Sequence, residues 1–236
     1  MQILNCGYSD PGFPAIVLAP EREAERFGFQ LYHRLVSGMP LEGSEVLEVG
    51  CGRGGGARYL SERFRPLTYA ATDSCLLFAI ANRLRPRPPG LRFRLARTGR
   101  LPFAPGSFDF GIAVEAVHPL PDKAAFLAEM ARALRQGGRL LIADFFYARE
   151  SSPNALAGFR TAIAASAFNL DVYEDWTGPA LSALEADSPR RLAEIQRLPR
   201  VFRKPALSFA CTAESPLYHQ LRDGRATYAH FELSRR

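Results

Sequence analysis

The stretch Val46-Leu-Glu-Val-Gly-Cys-Gly-Arg-Gly-Gly-Gly56 decides the fold. Residues 46–49 read as a short buried strand carrying one acid, Glu48, and the strand ends in a loop made mostly of glycine. Glycine takes positive φ without strain and puts no Cβ between backbone and ligand, so such a turn lets a cofactor approach the main chain. The spacing fits two cofactors. Gly50, Gly52 and Gly55 satisfy the G-x-G-x-x-G of dinucleotide sites, and Gly50, Gly52 and Gly54 satisfy the G-x-G-x-G of S-adenosylmethionine sites.

Outward from the loop, helical and strand patterns alternate. Residues 21–38 have helical spacing and stop at Gly38 and Pro40, which predicts an N-terminal helix and lid. After the glycine turn come a helix over 57–64, a second strand over 67–72 ending at Asp73, a helix over 74–84, and strands over 91–95 and 108–118. Asp122 is placed to N-cap a helix over 123–135, whose Leu127, Met130, Ala131 and Leu134 form one apolar stripe. Gly137 and Gly138 are expected to stop that helix before a fifth strand over 139–146. This alternation predicts an α/β fold, a parallel sheet with helices on both faces. Beyond Tyr147 the pattern turns helical, and 151–200 read as a cap, with no strand, over the carboxyl ends of the strands, where open α/β sheets bind ligands. The tail reads as β-like over 206–215, a short helix over 216–224 and a last strand over 226–234. The expected division is a helical lid over 1–40, a cofactor-binding core over 41–150, a substrate cap over 151–200 and return strands over 201–236.

With 236 residues, 47% hydrophobic and 23% charged, the chain suits a soluble protein with a sizeable core. No run approaches the roughly 18 apolar residues of a membrane span, and no basic-then-apolar start marks export, so a cytoplasmic location without a membrane partner is expected. Cys6, Cys51, Cys75 and Cys211 show neither C-x-x-C pairs nor a disulfide framework, which predicts free thiols and no metal site. The net charge of +6 rests on arginine, Lys123 and Lys204 being the two lysines. From Ser74 to Phe108 there is no acid, while Arg83, Arg85, Arg87, Arg92, Arg94, Arg97 and Arg100 crowd the segment. Such a patch attracts an anionic substrate, carrier or nucleic acid. Phe93 is the one aromatic within that arginine run, too little for base stacking, so nucleic acid is not the expected partner.

Taken in order, these landmarks resemble class I S-adenosylmethionine-dependent methyltransferases. The signs are residues 46–56, Asp73 at the second strand's end, the run 101–145 and the closing β segment, a similarity reaching from about residue 25 to the end. Within that superfamily the chain is similar to small-molecule methyltransferases of bacterial natural-product pathways, phthiotriolone-type lipid O-methyltransferases and, more distantly, those of rebeccamycin-type glycosides. The resemblance implies a Rossmann-like sheet of seven strands, the seventh antiparallel, with S-adenosylmethionine as cofactor. Glu48 agrees with it: a carboxylate there suits the methionine ammonium and would repel a pyrophosphate. Gly50, Cys51, Gly52 and Gly54 would then surround the cofactor, and Asp73, followed by Ser74, would accept both ribose hydroxyls. One position departs. Where the family carries an acid for the adenine amine, this chain has Arg97, which offers no acceptor; Thr98 is the neighbouring hydroxyl that stands in.

Methyl transfer from a sulfonium to a hydroxyl requires a positioned nucleophile, exclusion of water and removal of a proton. His118 and Asp144 stand at the ends of adjacent strands, and the resemblance matches both, so they are the expected general base and its orienting partner. Glu115, on the fourth strand, is placed to shape the cofactor site. Tyr32 and His33 are candidates to close over the sulfonium. Tyr147, Phe159, Phe168, Tyr173 and Trp176 are candidates for an aromatic acceptor pocket, and His219 and His230 read as structural. The expected function is O-methylation of a small-molecule secondary metabolite, whether polyketide, glycoside or lipid. The alternative, motivated by Arg97, is the same fold catalysing a cyclisation or rearrangement. An RNA-modifying enzyme fits only the arginines and a nicotinamide oxidoreductase only the glycine loop; oligomeric state is not encoded in any motif.

Overall fold

Near-continuous apolar runs mark strands buried on both faces, and the computed structural model, which describes residues 2–148 and 155–236, places four such strands beside a fifth, alternating one at the sheet edge. β1 (Glu45–Val49), β2 (Thr68–Asp73), β3 (Leu91–Leu95), β4 (Phe108–Val114) and β5 (Leu134–Tyr147) pair in parallel. β7 (Ala226–Arg235) lies antiparallel between β5 and β6 (Phe168–Asp175), so the sheet order is β3-β2-β1-β4-β5-β7-β6. The order reverses between β1 and β4, and the carboxyl ends on either side of that switch point frame a crevice.

Helices cover both faces, as the alternation predicts. On one face α2 (Arg26–Leu35), α3 (Gly55–Phe64) and α7 (Thr177–Gln196) pack Phe29, Leu60 and Leu184 over Val46, Ile112 and Tyr228. On the other, α5 (Lys123–Ala133) and α6 (Ala155–Ala164) pack Leu127, Met130 and Phe159 over Leu47, Ile142 and Phe231. Asp122 caps α5, accepting from the Ala125 amide at 2.8 Å, and its expected stripe is withdrawn from water.

Several boundaries differ from the sequence reading. The N-terminal helix is broken into α1 (Pro20–Glu23) and α2, because Glu25 at the break turns its carboxylate to the amides of Gln2 and Ile3. α5 ends at Ala133, before Gly137 and Gly138, which lie within β5: Gly137 takes φ +74°, and the register against β4 shifts there. The glycines serve a bulge rather than a helix stop. The cap is not wholly helical either. Residues 168–175 form β6, an edge strand whose register slips between Leu170 and Val172, so its alternation is blurred. β6 takes the position beside β7 that a second return strand would have filled. The segment 206–215 is instead the end of α8 (Arg200–Phe209) and a turn leading to α9 (Pro216–Arg222). The return segment therefore contributes one strand, not two. The boundary drawn at 150/151 lies outside the described residues.

Candidate active site

The glycine loop turns away from β1 because Gly50 and Gly52 adopt φ of +79° and +51°. A cavity of about 1070 Å³ opens there, at the carboxyl ends of β1, β2, β4 and β5. That volume accommodates a nucleoside cofactor together with an acceptor. Its walls are the loop, Asp73 and Ser74, Thr98, the β4 end with Glu115 and His118, the segment Gln2 to Asn5, and the inner sides of α7 and α8.

Asp73 is fixed by its neighbours. Its Oδ2 accepts from the Gly52 amide and its Oδ1 from the Cys75 amide, both at 2.8 Å. Each oxygen keeps a lone pair, enough for a pair of vicinal hydroxyls. A Cβ at Gly52 would meet nothing nearer than Leu4 at 4.0 Å, so the loop presents bare backbone beside the carboxylate. Gly54 is a glycine for another reason. With φ +73° it faces the Phe93 ring and the Arg58 guanidinium, both within 2.7 Å of any added Cβ, and it does not line the cavity.

Glu48 does not reach the cavity wall. Fully buried, it accepts from the hydroxyls of Tyr32 at 2.8 Å and Tyr69 at 2.9 Å, and Tyr32 lines the cavity in its place. Burial pushes Glu48 up to about 7, against the pull of the two tyrosines. Glu115 does line the cavity. Its backbone sits at φ +49°, and its Oε1 accepts from the Cys6 amide at 2.7 Å and the Tyr228 hydroxyl at 2.9 Å, pinning the N-terminal segment to the sheet. Burial also raises this carboxyl. Cys6, Glu115 and Cys211 bring their ligand-type atoms within 4.8 Å of one another, a cluster that sequence spacing hides. The Cys6 thiol is raised, by its hydrogen bond with Cys211 first and then by burial.

The expected dyad is assembled. His118 Nδ1 lies 2.9 Å from Asp144 Oδ1. Asp144 is fully buried and also accepts from the amides of Val117, His118 and Phe145 at 2.6, 3.0 and 2.8 Å. Since the carboxylate only accepts, Nδ1 donates to it and Nε2 is the nitrogen left to take a proton. Phe145 stacks on the imidazole with centroids 3.9 Å apart, holding the ring in the cavity wall.

Other expected residues fall elsewhere. Arg97 is exposed and outside the cavity, forming a small bridge with Arg100, while Ala96 and Thr98 on either side of it line the wall. A side chain that alternates outward at a strand's end cannot serve a ligand on the inner side. His33 bonds to Tyr59 at 2.7 Å, away from the cavity. Of the expected aromatic pocket only Tyr147 lines the cavity; Phe159, Phe168 and Tyr173 belong to the core on the other face of the sheet, and Trp176 stacks on His230. The segment Gln2 to Asn5, Phe78, Arg191 and Leu198 line it although no motif marks them.

Acids predominate here. Asp73, Glu115 and Glu194 line the cavity with Glu48 and Asp144 behind it, against Arg53 and Arg191 in the lining, the latter engaged by Asp187 and the carbonyls of Asn5 and Cys211. A sulfonium and an ammonium fit that set; a pyrophosphate does not.

The strand order, glycine loop and carboxylate after β2 define the class I methyltransferase fold. A methyltransferase-domain family matches over residues 47–142. The chain is 41% identical over 141 residues to a fatty-acid O-methyltransferase of Mycolicibacterium smegmatis, covering 60% of this chain and 52% of that one. It is 31% identical over 203 residues to a probable phthiotriol/phenolphthiotriol dimycocerosates methyltransferase of Mycobacterium ulcerans, covering 86% of this chain and 77% of that one. A solved geranyl diphosphate methyltransferase in complex with S-adenosylmethionine superposes with a TM-score of 0.71 at 18% identity, covering 98% of this chain and 99% of that one. The chain belongs to the methyltransferase-domain family. The 31% identical M. ulcerans relative apart, the chain spans about half the length of the curated relatives it matches, a second M. ulcerans protein among them.

Proposed function

We propose that the protein is an S-adenosylmethionine-dependent O-methyltransferase whose acceptor is a hydroxyl on an apolar, lipid-like small molecule. The observation that carries this reading is the His118–Asp144 pair in the cavity wall, with Nε2 left free of the carboxylate. A carboxylate acceptor is already a nucleophile and needs no base; a hydroxyl does. The acceptor's apolar character is supported by Ile3, Leu4, Phe145, Ile195, Leu198 and Leu217 in the lining, and by the lipid substrates in the names of the mycobacterial relatives.

S-adenosylmethionine, when bound, supplies a sulfonium-activated methyl group. The chain's residues do the rest. Asp73 would hold the ribose hydroxyls, and the bare backbone at Gly52 would admit the methionine portion, whereas Gly50 is glycine because an added Cβ would meet that of Ala116 at 2.4 Å. Tyr32, backed by Glu48, and Glu115 would favour the cofactor's positive charge. His118 would take the acceptor's proton at Nε2 as the hydroxyl oxygen bonds to the methyl carbon and the methyl–sulfur bond breaks, the thioether of S-adenosylhomocysteine leaving, and Asp144 would stabilise the imidazolium through Nδ1–H. The stacked Phe145 and the apolar wall keep water from competing.

Calorimetric titration with S-adenosylmethionine and S-adenosylhomocysteine, with NADH as control, tests the cofactor. Micromolar binding of the first two and none of NADH is expected, with S-adenosylhomocysteine accumulating once a long-chain hydroxylated lipid is added. Absence of cofactor binding overturns the reading. Binding without turnover on hydroxylated acceptors instead favours rearrangement chemistry, which Arg97 no longer motivates now that it lies outside the cavity. The adenine end has its own test. Thr98→Val is expected to weaken cofactor binding about threefold to tenfold, the worth of one neutral hydrogen bond, and Arg97→Ala to leave it within about twofold.

A further inference from the structure

We infer that the mouth of this cavity is a docking surface for an anionic lipid bilayer. Helices of folded proteins turn their leucines inward, but α4 (Leu76–Leu84) does the reverse. It buries Ala79 and Asn82, while Leu76, Leu77, Ile80 and Leu84 are each between 46% and 81% exposed. α8 repeats the anomaly: Val201 and Phe202 are 73% and 59% exposed. Both helices also contribute to one cavity, α4 through Phe78 and α8 through Ala206, and the exposed Leu4 and Leu198 line it between them. The exposed apolar side chains thus sit on the two helices that each put one residue into the cavity wall, with Leu4 and Leu198 in the wall itself, rather than scattering singly over the surface.

Charge selects the partner. The stretch from Ser74 to Phe108, which contains α4 and the neighbouring strand β3, carries seven arginines and no acid, and Arg197, Arg200, Arg203 and Lys204 lie in or beside α8 in sequence with no acid between Glu194 and Glu214. Exposed aliphatic side chains set among basic residues are the composition of a surface that lies on a membrane, burying the former at the headgroup boundary and pairing the latter with anionic lipid. A second copy of the chain would oppose like charge to like charge across a two-fold axis. Nucleic acid would gain nothing from leucines and isoleucine where it wants stacking rings. No helix among the described residues is long and apolar enough to cross a membrane, so the proposed contact is one of lying on the bilayer. The purpose rests on the lipid-like acceptor proposed above: a substrate dissolved in the bilayer reaches the cavity without crossing water. The docking itself does not depend on that reading.

Co-sedimentation with vesicles tests it. The protein is expected to partition onto phosphatidylcholine vesicles containing about one-third phosphatidylglycerol and not onto phosphatidylcholine alone. Raising salt from about 0.1 M to about 1 M, which shortens the Debye length from about 10 Å to about 3 Å, should release most of it. Leu77→Glu and Phe202→Glu are expected to weaken partitioning at least tenfold while S-adenosylmethionine affinity stays within twofold. Leu67→Glu, at the opposite end of β2 and 65% exposed, serves as the control and should bind vesicles like the parent. Failure to sediment with anionic vesicles at low salt overturns the inference, as does equal loss with Leu67→Glu. Elution as a dimer that Leu77→Glu dissociates would assign the surface to a second copy instead. A protein that docks but never methylates would refute the proposed activity and leave the docking intact.

Discussion

Replacing His118 by alanine is expected to lower turnover of a hydroxyl acceptor by about 10²- to 10⁴-fold, the usual contribution of a positioned general base. Affinity for S-adenosylmethionine should hold within about threefold, because the His118 ring is held by Asp144 and Phe145, while Asp73, the expected ribose carboxylate, is fixed separately by the amides of Gly52 and Cys75. Restoring a base from solution, as imidazole added to the His118→Ala variant, should recover part of the rate. Asp144→Asn should cost activity and stability together. Two amides donate to Asp144 Oδ2, and the Phe145 amide and His118 Nδ1 donate to Oδ1, so a carboxamide NH₂ meets N–H donors in either orientation. An unsatisfied buried donor of this kind costs about 1–3 kcal/mol, read as a lower melting temperature. The His118 series also separates acceptor classes: with a carboxylic acid, which is ionised without help, the alanine variant should lose less than about tenfold. Unchanged turnover on a hydroxyl would remove the proton-transfer mechanism and leave the fold assignment standing.

What could be read in the sequence follows physical lines. Residues whose position follows from a strand end were legible: Asp73 and Thr98 line the cavity, with Asp144 behind it, as the alternation predicts, and Glu115 and His118 line it too, although the expected strand over 108–118 ends at Val114 and leaves both on the turn that follows, Glu115 with φ +49°. Parallel strands buried on both faces were legible for the same reason, as unbroken apolar runs. β6 was not, because an edge strand with one wet face and a slipped register carries half a signal. Nor was the separation of the aromatics. Phe146 and Phe145 are adjacent on β5, yet one packs under α6 and the other over the cavity, and which face a strand turns to the ligand depends on helices far away in sequence. The same holds for Gly54, whose φ suits the expected loop but whose bare Cα is demanded by Phe93 and Arg58. The segment Gln2 to Asn5 is too short to show any period, and its place in the wall is set by Glu25 and Glu115, each over twenty residues away.

Two buried groups, Glu48 and His230, are expected to make opposing contributions to the pH dependence of this protein's stability. Glu48, withdrawn from water behind the glycine loop, is raised from an ordinary 4.5 to about 7. His230, stacked between the sheet and Trp176 at a centroid distance of 4.3 Å, is lowered from 6.5 to about 4, burial outweighing its bond to Glu174. Each displacement corresponds to about 3 kcal/mol. The signs are opposed. As pH rises from 4.5 to 7 the unfolded chain gives up the Glu48 proton before the folded one does, and stability falls. As pH falls from 6.5 to 4 the unfolded chain takes up a proton at His230 that the folded one refuses, and stability falls in that direction instead. Over the shared window the two slopes largely cancel. Glu48→Gln should unmask the histidine, so that urea-determined stability drops by about 3 kcal/mol between pH 6.5 and 4 relative to the parent. His230→Gln should unmask the acid and make stability fall by a similar amount between pH 4.5 and 7. Because slopes are compared, a constant packing penalty in either variant does not enter. Parallel profiles for parent and Glu48→Gln would mean that Glu48 is ionised in the folded protein near pH 5, with Tyr32 and Tyr69 holding it as a carboxylate ready for a cation.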